Sequence, residues 1–167
     1  MTTREHLIYR LQERYAFLAD FLPMLDQIRH GTTDERLRKL EAHEHEELMG
    51  EIDTLERALN LLGAQYKLEH NPIDPALQES SRRFKHQMNP SAEQTDVHHI
   101  LLLNAIAQYV AAGYQGDAEL ARGIGEQDVA LLLEENLQRQ HEGYRAMRSL
   151  MPAMVREMCR IEAQRAA

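Results

Sequence analysis

The sequence predicts an all-α protein, a ferritin-like four-helix bundle with a long connection between helices 2 and 3. Three observations carry this. Four long segments repeat apolar residues at helical spacing. No stretch alternates with period two, so strands are not expected. Short turns follow the first and third segments, but a weakly patterned stretch, Ala64–Asp96, separates the second from the third. At 167 residues the chain fits one domain with a sizeable core, taken as residues 1–158 followed by a tail at 159–167.

Segment one spans about Glu5–Ile28, with Leu7, Leu11, Leu18, Leu22 and Leu25 as its stripe and Pro23 expected to kink it or tighten its last turn. Gly31 stops it, and Thr32-Thr33-Asp34-Glu35 reads as a capping box with Thr32 as cap. Segment two, Leu37–Leu62, places Leu37, Leu40, Leu48, Ile52, Leu55, Leu59 and Leu62 on one face and is closed by Gly63. In the connection, Pro72, Pro75 and Pro90 punctuate the pattern, and Pro75–Met88 has room for a short extra helix on the outside of the bundle. Segment three begins near Thr95-Asp96 and continues through Ile100, Leu103, Ile106, Ala107, Val110 and Tyr114; Gly116, Gly123 and Gly125 each offer an end. Segment four starts at Gln127-Asp128 and carries Val129, Leu133, Leu137, Tyr144, Met147, Met151, Met154 and Met158, with Pro152 bending its last part. The methionines suit a core or a partner surface, and their continuation beyond Pro152 favours a homodimer contact.

Composition narrows the function. A net charge of −8 argues against non-specific nucleic-acid binding. With 28% charged residues and no run near the roughly 20 apolar residues of a spanning helix, no membrane insertion is expected. The start, MTTREHLIYRL, lacks a signal-peptide pattern, so the expected location is cytoplasmic. The single cysteine, Cys159, lies in no Cys–His motif, and no nucleophile–base pair or phosphate-binding glycine loop is apparent.

The chemistry concentrates in segment two, where His43-Glu44-His45-Glu46-Glu47 interrupts the leucine stripe. Glu44 and Glu47 lie three apart, which puts both carboxylates near the buried face. Antiparallel helices rise equally from their turn, so reflecting positions through Gly31 and Gly125 predicts one central layer. That layer holds Leu18, Glu44/Glu47, Ala107/Val110 and Asn136/Gln140. A dinuclear carboxylate site needs a Glu from each of two helices and a Glu-x-x-His from each of the other two, and no Glu-x-x-His occurs in the chain. The residues thus favour a metal-free polar core layer, with Arg14, Arg139, Tyr15 and Tyr144 as partners for the acids. The alternative is a shifted metal site on Glu44, Glu47, His43 and His141, for iron or another divalent ion. His98 and His99 could form a site at a bundle end but read first as surface residues. With the central acids relieved of metal, a small-ligand pocket lined by Leu18, Ala107 and Val110 is a third reading.

With these residues in view, the chain resembles the ferritin-like stress-associated bacterial family represented by YciE and YciF, from segment one to Pro152. The resemblance rests on Glu44-His45-Glu46-Glu47 followed by Leu62-Gly63, on Leu132-Leu133-Glu134-Glu135-Asn136-Leu137, and on Tyr114 and Pro152. It implies the fold, dimerisation and a stress-response role. Most of the family's ligand positions are replaced: a Glu falls on Leu18 or Tyr15, another around Ala107–Val110, and Glu-Glu on Arg139-Gln140. Only Glu47 matches a ligand outright. The resemblance therefore implies a degenerate di-metal site, and the expected protein is non-enzymatic with no cofactor.

Overall fold

The computed structural model describes residues 1–66, 79, 82–84, 86 and 88–166. Four long helices dominate: α1 (Thr3–Gly31), α2 (Glu35–Leu61), α3 (Ala92–Gly123) and α4 (Gln127–Ala166), with no strand among the described residues. Residues 79, 82–84, 86 and 88 are helical, where a short extra helix was expected; Pro72 and Pro75–Leu77 of that expectation lie outside the described residues.

Cross-helix contacts give the topology. Arg10 and Arg14 meet Asp117 while His99 meets Thr32, so α1 and α3 are antiparallel. Gln140 meets Glu51 while Arg36 meets Glu157, so α2 and α4 are antiparallel. The order is therefore up-down-down-up, and α2 and α3 run parallel. The segment between them joins opposite ends of the bundle, which explains its length.

Local chemistry places each end. Thr2 caps α1 in a capping box with Glu5, and Ser91 does the same for α3 with Gln94. Gly63 (φ 64°) and Gly125 (φ 85°) take the left-handed conformation that ends α2 and α3. At each, the amides that follow bond back to the last turn: Gly63 to Asn60 and Ala64 to Leu59, Gly125 to Arg122 and Glu126 to Ala121.

Two expected caps change. Asp34, not Thr32, caps α2, accepting from the Arg36 and Leu37 amides. Thr32 is drawn into the core instead, because its hydroxyl serves Ile28, Glu41 and His99. Asp96 does not cap α3, which starts four residues earlier; its buried carboxylate accepts from the Thr33 amide (2.9 Å), the Thr33 hydroxyl (2.6 Å) and the Asp34 amide (2.7 Å). One carboxylate on α3 thus ties down the turn between α1 and α2.

Both Pro23 and Pro152 lie within continuous α-helix. Residues 159–166, expected as a tail, extend α4, where Arg165 pairs with Glu93 (3.1 Å) and Gln94 donates to Glu162 (2.7 Å). Cys159 is an exposed free thiol there. Met147 and Met154 are buried in the chain's own core, with Met151 and Met158 packed beside them. Two of the four methionines are therefore core, and Met151 and Met158 are partly buried at its edge.

Candidate functional site: a polar layer at the bundle centre

From Leu37 the buried face of α2 advances by alternating steps of four and three residues, through Glu41, Glu44, Leu48, Glu51 and Leu55. Three carboxylates thus lie along a stripe that is otherwise leucine. Glu44 shares a small cavity of about 20 Å³ with Leu18, Ala107, Val110 and Gln140. These are members of the layer expected from helix register. Glu47 is not among them: it turns outward to Arg139 at 3.6 Å.

Glu51, which the sequence reading missed, is the centre of the layer. Gln140 Nε2 donates to its Oε1 at 2.6 Å, and Asn136 Nδ2 donates to its backbone carbonyl at 3.0 Å. The Tyr114 hydroxyl accepts from Asn136 Nδ2 at 3.1 Å. Tyr114 is fully buried, and the Arg14 guanidinium lies over its ring at 5.0 Å. Arg14 is fixed in turn by Asp117, which accepts from its Nε at 3.0 Å and its Nη2 at 2.7 Å, while Arg10 bonds the other oxygen. The chain of contacts runs from α2 through α4 and α3 to α1, so one polar network joins all four helices.

Its electrostatics follow from burial. Desolvation pushes Glu51 up to about 8, against the hydrogen bond from Gln140 and the influence of the nearby Tyr114 hydroxyl. Burial pushes Glu44 up to about 7, with Glu47 adding to the rise and His43 opposing it. Burial also pushes Glu41 up to about 7, against the hydrogen bond from Thr32. Glu41 Oε2, Glu44 Oε1, Glu51 Oε2 and Asn136 Oδ1 are buried acceptors with no donor among the described residues. A proton on each acid removes the cost of a bare buried charge.

The small residues of α3 and α4 serve this layer. A side chain at Gly113 would meet the Arg14 guanidinium, and one at Gly143 would meet the Glu44 carboxylate. Gly113→Ala should therefore destabilise the protein even though alanine gains about 1 kcal/mol in helix propensity. Arg14 is held by Asp117 and cannot withdraw without losing that pair, so a net loss of about 1 kcal/mol or more is expected. Urea unfolding measures it.

The residues present do not fit a dinuclear metal site. Its ions would sit about 3.5–4 Å apart. Glu44 and Glu51 both come from α2 and are two turns, about 10 Å, apart. Opposite them stand Leu18, Ala107, Val110 and Gln140, three of which offer no ligand atom. Of the sequence candidates, His43 and His141 are exposed, Glu47 pairs with Arg139, and only Glu44 reaches the centre. Among the described residues no three His, Cys, Asp or Glu are grouped to hold a metal ion. Of the other expected partners, Tyr15 donates to Glu56 (2.9 Å) and Tyr144 meets Arg148, both away from the layer.

His99 is buried, not superficial, with Nδ1 3.0 Å from the Thr32 hydroxyl, and the His98 ring stacks on Phe84 at 4.0 Å.

A family described as a domain of unknown function, DUF892, matches residues 2–160. The chain belongs to the DUF892 family. Among solved structures, this DUF892 chain is similar to the stress protein YciF of E. coli, with TM-score 0.85, 20% identity, and 93% of this chain and 98% of that one covered. YcfI of Rhodopseudomonas palustris matches with TM-score 0.83 and 18% identity over 89% and 94%. A protein of Xanthomonas campestris pv. campestris matches with TM-score 0.81 and 20% identity over 97% and 99%. These likenesses establish the shared helical fold. No curated protein matches the sequence. Among the described residues no helix is long and apolar enough to cross a membrane.

Proposed function

We propose that this DUF892 protein is a non-enzymatic, stress-associated helical bundle of ferritin-like layout. Its degenerate di-metal site is replaced by a proton-holding polar layer, and it works as a homodimer through its surface. The observation carrying this reading is the residue set at the centre: two acids from one helix, Glu44 and Glu51, face leucine, alanine, valine and glutamine. Such a set favours protons over hard, twice-charged cations, which want carboxylates from several directions. The stress role is suggested by the description of E. coli YciF as a stress protein.

Dimerisation is supported by α3. Residues 100–116 carry no charged side chain, although Leu101 and Tyr109 are 47% and 49% exposed. An uncharged helix face with exposed large side chains suits a second copy of itself, since no like charges meet across a two-fold axis.

The test is elemental analysis of protein purified without added metal, together with its elution on size-exclusion chromatography. Metal far below one ion per chain and a dimer that Tyr109→Glu converts to monomer are expected. Stoichiometric iron, manganese or zinc, lost on Glu44→Ala with Glu47→Ala, would establish instead the shifted site on Glu44, Glu47, His43 and His141.

A further inference from the structure

The geometry points to a second site, at the turn between α1 and α2: a surface pocket that binds a phosphate-bearing small molecule. It is independent of the polar layer. The pocket measures about 670 Å³, the size of small-molecule clefts, and is lined by Arg29, His30, Thr32, Glu35, Arg38, Lys39 and Ala42. Three fixed cations there face one carboxylate, in a chain whose net charge is −8.

Helix electrostatics explain Arg29 but not Arg38 or Lys39. Arg29 and His30 close α1, where positive charge complements the helix dipole. Arg38 and Lys39 stand in the opening turns of α2, where positive charge opposes it. Their field and the positive end of α2 therefore add in one place.

The pairing of these groups leaves capacity for an anion. Arg38 donates to the Thr33 carbonyl at 3.2 Å and pairs with no carboxylate among the described residues. Lys39 meets Glu35 at 3.0 Å with both side chains 76% exposed, a contact that costs little to exchange. Arg29 gives one nitrogen to Asp26 at 3.0 Å. Glu41, buried behind Thr32 and pushed up to about 7, adds less than a full opposing charge near pH 7.

The clustered guanidinium groups of Arg29 and Arg38 and the Lys39 ammonium favour a multiply charged phosphate over a single carboxylate. Two guanidinium forks suit its tetrahedral oxygens. The volume leaves room beyond the phosphate, which favours an organic phosphate ester.

The probes are inorganic phosphate, AMP and adenosine, titrated into the full chain at millimolar concentration with amide NMR shifts as the readout. Phosphate and AMP should both shift amides between residues 29 and 42, and adenosine should not. Arg38→Ala and Lys39→Ala, each at an exposed helical position, should keep the wild-type melting temperature. Each should weaken AMP binding about tenfold, the effect of one charge-assisted hydrogen bond. Added sodium chloride should weaken it further. Absence of shifts with AMP, equal binding of adenosine, or undiminished AMP binding by both variants would overturn the proposal.

Discussion

Asp117→Ala is expected to lower the stability of the folded chain by about 3–5 kcal/mol. Asp117 is fully buried on α3, and its carboxylate fixes two arginines of α1. Of these, Arg10 reaches solvent and can turn to water. Arg14 is 8% exposed and cannot. Removing the acid leaves a guanidinium in the core over Tyr114 with its charge uncompensated, the costly way to break a buried pair. Asp117→Ala with Arg14→Met removes both charges and should recover much of the loss. Urea unfolding of the single and double variants gives the coupling directly. A single variant within about 0.5 kcal/mol of wild type would show that Arg14 has another partner.

The second large effect concerns Glu51 and is one of sign. Its carboxyl titrates near 8 in the folded chain, against an ordinary 4.5. Between those values the native state holds a proton that the unfolded state has released, so stability falls as pH rises across that window. The contribution is complete below 4.5 and lost as pH passes about 8. Glu41 and Glu44, each pushed to about 7, slope the same way. At about 1.4 kcal/mol per pKa unit, the shift of Glu51 alone corresponds to about 5 kcal/mol. Glu51→Gln should therefore be more stable than wild type above pH 8, because a neutral amide replaces a carboxylate that must charge. It should also flatten the pH dependence.

The helices of the bundle were legible in the sequence because their signals are local. Leucine spacing gave the helices and Gly63 and Gly125 ended two of them, whereas the long middle connection allowed α3 to run either way relative to α2. Register arithmetic worked as well: hairpin partners rise equally, and Leu18, Glu44, Val110 and Gln140 do share one cavity.

What failed was the choice between near-equivalent positions on one helix. Hydrophobicity puts Ile52 on the buried stripe and passes over Glu51. A strict four-three count from Leu37 selects Glu41, Glu44 and Glu51 and leaves Glu47 outside. Asp117, Asp96 and Thr32 were hidden for a different reason. Each is buried by a partner distant in sequence: Arg14, the Thr33-Asp34 amides, and Glu41 with His99. An acid near glycines or at a helix start looks like a cap until the neighbouring helix is in place.

Equilibrium unfolding of wild type and Glu51→Gln at pH 6 and pH 9, in chelator and again with ferrous iron or manganese added, bears most directly on the polar layer. The expected result is a wild-type midpoint that drops from pH 6 to pH 9 and ignores metal, with Glu51→Gln the more stable protein at pH 9. A metal-dependent rise in the wild-type midpoint that Glu51→Gln abolishes would contradict it, since only a ligand bound to the native centre stabilises in that way.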